Sequence, residues 1–393
     1  MGKKINQLPV AETLLSTNLC IIGDPVDGKM YKLSLKQLRD FIKRLFDPST
    51  VDITKINDVH AFGDGCIYGL DPKPDTDGFI QHFCREYNKK MFNYGAGAAG
   101  IYQVISTAFE KLPQVNSNVL TIAMAGIVDV ALAGNNIKTF EKIKQAYRSL
   151  IANQFLKTAV PFSDASITKT GVWKVTNYPS STVGGKAEHL GGKGIASTDK
   201  SDKAEWSFVG NNVVIGYIGS DGDPMRKQGD FTIYIDGINH GSYNQNDLWD
   251  GIPNISYDNQ IGPACIVFTG LSSGPHTLTI ETNSTDLTVF DYVGTMHAPE
   301  DCSPINISEI IKLNPKGYTI IPPYDKASDA IVDRANTHLK SVIKEFTTAG
   351  AYPIALMPTN SFVNVDTDFR ITYTEWNNDG HLHAFEALQN IIR

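Results

Sequence analysis

The chain has 393 residues, 41% of them hydrophobic and 20% charged, enough to bury two or three cores of ordinary size and too apolar for a disordered polymer. A net charge of -7 without a long Lys/Arg run excludes a general nucleic-acid-binding surface. No apolar run approaches the roughly 20 residues that cross a bilayer, so neither nucleic-acid binding nor membrane insertion is expected.

The N-terminus, Met1-Gly2-Lys3-Lys4, lacks the apolar continuation of a secretory leader, and Asn6 stands where a myristoylation signal needs Ser or Thr. The five cysteines (Cys20, Cys66, Cys84, Cys265 and Cys302) are odd in number and contain no CxxC. They predict free thiols in a protein made in a reducing host cytoplasm and released by lysis, with no metal site and no cofactor.

Residues 1–47 form a small α+β unit. Apolar–polar alternation predicts short strands at 17–22 and 30–34 around the turn Asp24-Pro25-Val26-Asp27-Gly28. Ser34 and Gln37 then have capping-box spacing ahead of a helix carrying Leu35, Leu38, Phe41, Ile42 and Leu45. From 48 to 164 strands alternate with helices: strands at 59–62, 91–94 and 119–125, helices at 78–87 and 139–155. This order implies a parallel sheet covered on both faces. From 165 to 297 short strands take over, at 172–175, 204–208, 213–218, 231–235, 265–268, 277–281 and 287–292, which predicts a β-sandwich. From 298 to 393 helix–strand character returns, with helices at 327–346 and 383–392 and a strand at 352–357. The simplest account is one α/β domain, 48–164 plus 298–393, interrupted by an inserted sandwich.

Three resemblances sharpen this account. Leu8-Pro9, Ala11, Leu14 and the stretch 26–42 resemble the attachment domain that opens many bacteriophage tail fibre proteins. The sandwich segments, GVWKV, AEWSFVGNNVVIGY, FTIYIDG and GPHTLTIET among them, resemble galactose-binding-like jelly rolls that serve as carbohydrate-binding modules. The α/β blocks resemble the SGNH (GDSL-type) hydrolases, a flavodoxin-like three-layer fold. Phe62-Gly63-Asp64-Gly65-Cys66 stands at the Gly-Asp-Ser block, and Asn93 to Gly100 at the oxyanion glycine block, with Gly97 in that role. Gly126-Ile127-Val128-Asp129 stands at the Gly-x-Asn-Asp block, and Asn378-Asp379-Gly380-His381 at the Asp-x-x-His block.

The departures decide the expected function. Gly65 has no attacking group, Val128 has no amide for the oxyanion, and Asn378 replaces the carboxylate that orients the family histidine, here His381. Losing one oxyanion donor costs about 10²–10³ in rate, and losing the nucleophile costs more. Two rescues remain: Cys66 as a displaced nucleophile, and Asp379 with His383 as a shifted acid–base pair. In the sandwich, Tyr243, Asn244, Asn246, Asp247 and Trp249 form a polar, loop-like stretch suited to sugars, and Trp173 and Trp206 are expected in the core. Asp221, Asp223 and Asp230 near glycines are read as solvent-facing turns.

The expectation is a homo-oligomeric virion tail protein, docked to other tail proteins through its N-terminus. It would meet host-cell glycans through a catalytically degenerate SGNH-like scaffold and its jelly roll. The alternative is an active carbohydrate esterase, a deacetylase of host polysaccharide.

Overall fold

The computed structural model describes residues 19–23, 30–34, 51–68, 78–97, 99–111, 118–176, 194–224, 227–246, 248, 261–312, 328–364, 368 and 376–392. The expected helix after Ser34 and the ligand candidates Asp247 and Trp249 lie outside them. Near the N-terminus β1 (Leu19–Gly23) and β2 (Met30–Ser34) pair as an antiparallel hairpin.

The α/β part follows with β3 (Asp58–Gly63), α1 (Gly65–Tyr68), α2 (Phe79–Glu86), β4 (Lys90–Asn93), α3 (Ile101–Lys111), β5 (Val119–Met124), α4 (Ile127–Ala133) and α5 (Ile137–Phe155). β3 and β5 are buried almost throughout because both faces of a parallel sheet are covered. In α2 the buried residues Phe79, Ile80, Phe83 and Cys84 fall on one stripe. α5 is capped by Asn136, whose side chain accepts from the Lys138 N–H.

The sandwich is made of β6 (Leu156–Pro161), β7 (Thr168–Thr170), β8 (Lys174–Thr176), β9 (Gly194–Ser197), β10 (Lys203–Val209), β11 (Asn212–Ser220), β12 (Asp230–Ile235), β13 (Ile238–Asn244), β14 (Ile261–Thr269), β15 (Pro275–Thr282) and β16 (Thr288–Met296). One sheet has the order β13-β12-β15-β10-β7. The other runs β14-β11-β16-β9-β8, with β6 also on β16. Two expectations are corrected here. The sandwich sheet begins at Leu156, not near residue 165, because α5 passes straight into β6. The stretch holding Tyr243 and Asn244 is not a loop but the second arm of a hairpin with β12.

The chain returns to the α/β part through β17 (Ile305–Ser308), α6 (Asp329–Gly350), β18 (Ile354–Met357) and α7 (Asn378–Gln389). The five strands β4-β3-β5-β17-β18 pair in that order and all in parallel. Counted in chain order within this sheet, the arrangement is 2-1-3-4-5. Doubly wound sheets of this order place ligands beyond the strands' C-terminal ends, at the switch between strands 1 and 3, here β3 and β5.

The two ends of the insert meet. Leu156 pairs with Met296, and the His297 N–H donates to the Phe155 carbonyl at 2.8 Å. α5 packs on β14, so the β14-containing sheet is buried on both faces. Val213 and Ile215 of β11 join the sandwich core, whereas Val214 between them joins the α/β core with Cys265, Tyr292 and Met296. β10 instead alternates strictly between buried and exposed, since the outer face of its sheet meets solvent. Across the junction Lys138 Nζ donates to the Asp221 carbonyl at 2.7 Å, and the Tyr352 hydroxyl donates to the His297 carbonyl at 3.1 Å.

Under the sheet, Lys142 Nζ lies 2.7 Å from Asp129 Oδ1, with side chains 1% and 0% exposed. The other oxygen, Asp129 Oδ2, accepts from the Ile101 N–H that opens α3. The pair therefore ties α5, α4 and the start of α3 together. Removing one member of such a pair strands the other charge in the core, which typically costs about 3–5 kcal/mol. Lys142→Met is expected to lower the urea midpoint accordingly, and the double variant Lys142→Met/Asp129→Leu to recover much of it. A single-variant midpoint equal to wild type would refute this role.

Candidate functional site

β3 ends in Gly63, where an added Cβ would collide with the Ile67 side chain and the Met124 carbonyl, so the turn admits no larger residue. Asp64 follows, buried, its Oδ1 accepting from the Cys66 N–H at 3.0 Å. Gly65 then opens α1 and brings no side chain to the sheet edge. Cys66, the displaced nucleophile of the sequence argument, is only 3% exposed and packs in the main hydrophobic core.

Beyond β4, Asn93 Nδ2 donates to the Ile67 carbonyl at 2.7 Å, and Asn93 Oδ1 accepts from the Gly95 N–H at 2.9 Å. The Ala96 N–H donates to the Gly63 carbonyl. Asn93 thus fastens the second loop onto the first and leaves Gly97 exposed at the edge. Val128 is buried in the first turn of α4. The structure brings the three block positions to one edge of the sheet, and none of Gly65, Gly97 and Val128 supplies a reactive side chain there.

α2 and α7 start together, since Phe79 meets His381, His82 meets Phe385 and Tyr87 meets Gln389. α2 leads into β4, which runs parallel to β3, so both helix N-termini face the C-terminal edge of the sheet. The side chain of Asn378 lies outside the described residues; the N-cap of α7 is Asn377, whose side chain accepts from the Gly380 N–H.

His381 is 2% exposed, with ring centroids 6.4 Å from Phe79 and 5.7 Å from Trp376. The Phe79 N–H points at its Nδ1 over a long 3.4 Å. With Nδ1 accepting, a neutral ring carries its proton on Nε2. That is the reverse of the tautomer a serine-activating histidine needs.

His383, one turn position further, is 39% exposed, and its Nδ1 lies 2.6 Å from Oδ2 of Asp368, which is 1% exposed. The expected partner Asp379 is thereby corrected. It is exposed and acts on His383 only as a nearby charge. The bond to Asp368, then the charges of Asp368, Glu386 and Asp379, raise the His383 pKa above its ordinary value against the opposing effect of burial. Asp368 is held in place: its Oδ2 accepts from the Asn364 N–H at 2.6 Å and its carbonyl from the Asn377 N–H at 2.8 Å. Sequence reasoning missed Asp368 because it lies fifteen residues before His383 with no motif joining them.

In the sandwich the proposed ligand residues serve the hairpin itself. The Tyr243 hydroxyl donates to the His240 carbonyl at 3.1 Å and its ring stacks on Phe231. Asn244 Oδ1 accepts from the Asn246 N–H. Asn246 clamps the backbone of Gln228, accepting from its N–H at 2.7 Å and donating to its carbonyl at 2.6 Å. Trp206 is buried in the sandwich core as expected, while Trp173 is half-buried beside Phe162 and Phe290. Among the described residues no group of three or more His, Cys, Asp or Glu is placed to hold a metal ion.

A different surface stands open. On the outer face of the β10-containing sheet, strand register aligns Thr168, Glu205, Thr279 and Tyr234 in one row, and Thr170, Lys203, Glu281, Thr232 and Ser242 in the next. Tyr234 is half-buried on this polar face, on β12 close to the β12–β13 turn.

No protein-family model and no curated protein sequence matches the chain. Among solved structures it is similar to a two-domain esterase active on acetylated mannans, at 10% identity and a TM-score of 0.31 over 66% of this chain and 96% of that one. It is similar also to the CBM36-1 domain of a multidomain xylanase from the hindgut metagenome of Trinervitermes trinervoides, at 17% identity and a TM-score of 0.24 over 36% of this chain and 97% of that one. An exo-beta-1,3-galactanase from Phanerochaete chrysosporium gives 14% identity and a TM-score of 0.25 over 35% of this chain, which spans 28% of that one. Likenesses of this size assign neither activity nor ligand.

The dyad makes a checkable statement. A histidine whose pKa is raised on folding contributes stability that is complete below its unfolded value, about 6.5, and lost as pH rises through the folded value. The His383 ring is expected to titrate above that value in NMR, and Asp368→Asn to bring its midpoint down. A midpoint indifferent to Asp368→Asn would remove the dyad.

Proposed function

We propose that this chain is a host-surface recognition protein of a bacteriophage tail, built on an SGNH-like scaffold that has lost acyl-transfer chemistry. One observation carries the loss of chemistry. At the strand-to-helix turn where an attacking side chain belongs there is Gly65, and the nearest thiol, Cys66, is sealed in the core. A reaction centre without a nucleophile cannot be repaired by a histidine and a carboxylate alone, because these act by activating one.

Recognition falls to the sandwich. Its one sheet is spent on docking to α5, and its other sheet offers Tyr234 among hydroxyls and carboxylates. An aromatic face flanked by fixed polar groups suits the C–H and O–H surfaces of a sugar, so the ligand class is a host-cell glycan. The N-terminal segment would dock to other tail proteins, and the neighbouring reading frames are expected to encode them.

One observation favours the competing esterase: the His383–Asp368 pair survives at the sheet edge. Hydrolysis of a short acyl ester separates the two. Turnover is expected at the buffer rate for wild type and for Cys66→Ala and His383→Ala alike. Wild-type turnover above buffer that either substitution abolishes would overturn the proposal. Binding is tested with the full chain on an array of host-derived glycans. Tyr234→Ala is expected to weaken the best ligand about tenfold, the size of one good aromatic contact. Silence across the array would defeat the recognition role.

A further inference from the structure

Far from the sheet edge, at one end of the sandwich, three side chains stand in the order carboxylate, imidazole, hydroxyl. His276 Nδ1 is 2.6 Å from Asp236 Oδ2, and His276 Nε2 is 3.4 Å from Ser272 Oγ. The connectivity is that of a nucleophilic triad, but one further distance decides against it. His276 Nε2 lies 2.8 Å from the carbonyl oxygen of Ser272 itself. A carbonyl accepts only, so Nε2 must carry a proton there, and a protonated Nε2 cannot take a proton from Ser272. With Nδ1 donating to Asp236 as well, the ring is an imidazolium with both protons in use.

We propose that Asp236, His276 and Ser272 form a proton-operated clamp, in which the His276 imidazolium ties the loop before β15 to the β12–β13 turn and releases that loop when it loses a proton. Each part is built for the task. Asp236 and Gly237 both have positive φ, 52° and 76°, the two-residue turn that makes the β12–β13 hairpin tight. Asp236 Oδ1 accepts from the Thr277 N–H at 2.8 Å, so the carboxylate is aimed before the ring arrives. The His276 side chain is 6% exposed, with Phe208 of β10 against its ring, and Ser272 is exposed on the loop.

The titratable surroundings are simple. The β12–β13 turn presents Asp236, with His240 of β13 acting on that carboxylate, while β10 presents the uncharged Phe208 ring. The bonds to the Ser272 carbonyl and to Asp236 hold the His276 pKa above its ordinary value. The clamp is therefore closed below about pH 6.5 and opens as pH rises through the folded value. Once Nε2 is a lone pair, the Ser272 carbonyl at 2.8 Å repels it, and the Ser272 hydroxyl becomes the group of that residue able to bond it.

Hydrogen exchange of the full chain, followed by mass spectrometry at about pH 5.5 and about pH 8.5 and corrected for intrinsic rate, reads the clamp directly. Peptides spanning 270–276 are expected to lose protection severalfold at the higher pH, as the clamp opens. Peptides of β3 and β5 report on the rest of the fold, which also loses the His383 contribution over this range, and should change less than the loop peptides. His276→Gln, which keeps a donor but cannot titrate, should make the loop indifferent to pH. Asp236→Asn should move the opening to lower pH. A loop whose protection ignores pH in wild type, or responds equally in His276→Gln, overturns the clamp. So does labelling of Ser272 by a fluorophosphonate probe that Ser272→Ala abolishes, which would make the trio a nucleophilic site.

Discussion

Helix α5 must be buried around most of its circumference, and the rest of the molecule is arranged around that constraint. Its inner face meets the parallel sheet, where the Tyr147 hydroxyl both donates to the Ala125 carbonyl and accepts from the Ala125 N–H. Its flanks meet α3 and α6, and Arg148 makes a two-pronged bond to Glu345 at 2.7 and 2.8 Å. Its remaining face meets β14 of the sandwich. A helix with Phe140, Ile143, Ala146, Leu150, Ile151 and Phe155 all buried is unstable in an isolated α/β domain that leaves one side wet. The inserted sandwich is thus part of the α/β domain's covering layer. Since α5 runs without a loop into β6, the two cores are joined by rigid backbone as well as by packing.

This arrangement limits where function can reside. Covering α5 consumes the outer face of one sandwich sheet and leaves that of the other, so the open face is a consequence of the docking. The C-terminal edge of the parallel sheet is also open, as in any doubly wound fold, but its side chains are occupied by construction. Asp64 and Asn93 organise loops, and Asp129 anchors the start of α3.

Long-period features were legible in the sequence. The apolar run at 119–125 and the core-spaced helix at 139–155 reappear as β5 and α5, and the change to short alternating strands marks the sandwich. What escaped was short or context-bound. β17 reads only INIS, too brief for a periodic signal, although it is an inner strand between β5 and β18. α3 and α4 escaped beside glycine-rich blocks. β13 has a polar, half-exposed pattern, INHGSYN, because it is an edge strand with nothing apolar to bury on its outer side. The onset of the sandwich was misplaced because Leu156–Pro161 continues a helix without a turn, and only its pairing with β16 reveals it as a strand. At the site, Gly65 at the turn after β3 and Val128 at the start of α4 could be read from the sequence. The partner of His383 could not, because it is set by a loop folding back onto a helix N-terminus.

Two histidine–aspartate pairs, each at 2.6 Å, show how one contact serves different ends. Both join a loop to the beginning of an element, His276 at the start of β15 and His383 in the first turns of α7. In the sandwich one ring nitrogen is spent on Asp236 of the β12–β13 turn and the other on the Ser272 loop, which makes the ring a fastener. At the sheet edge the carboxylate is the buried partner, fixed from the Asn364 backbone before the ring is added, while His383 keeps its outer edge toward solvent. Its 39% exposure leaves an oriented imidazole edge at the mouth of the parallel sheet. Such a group can hydrogen-bond a hydroxyl-rich ligand without any attack upon it. Binding makes a smaller demand than acyl transfer, because it needs a polar group in place and does not depend on which nitrogen surrenders its proton.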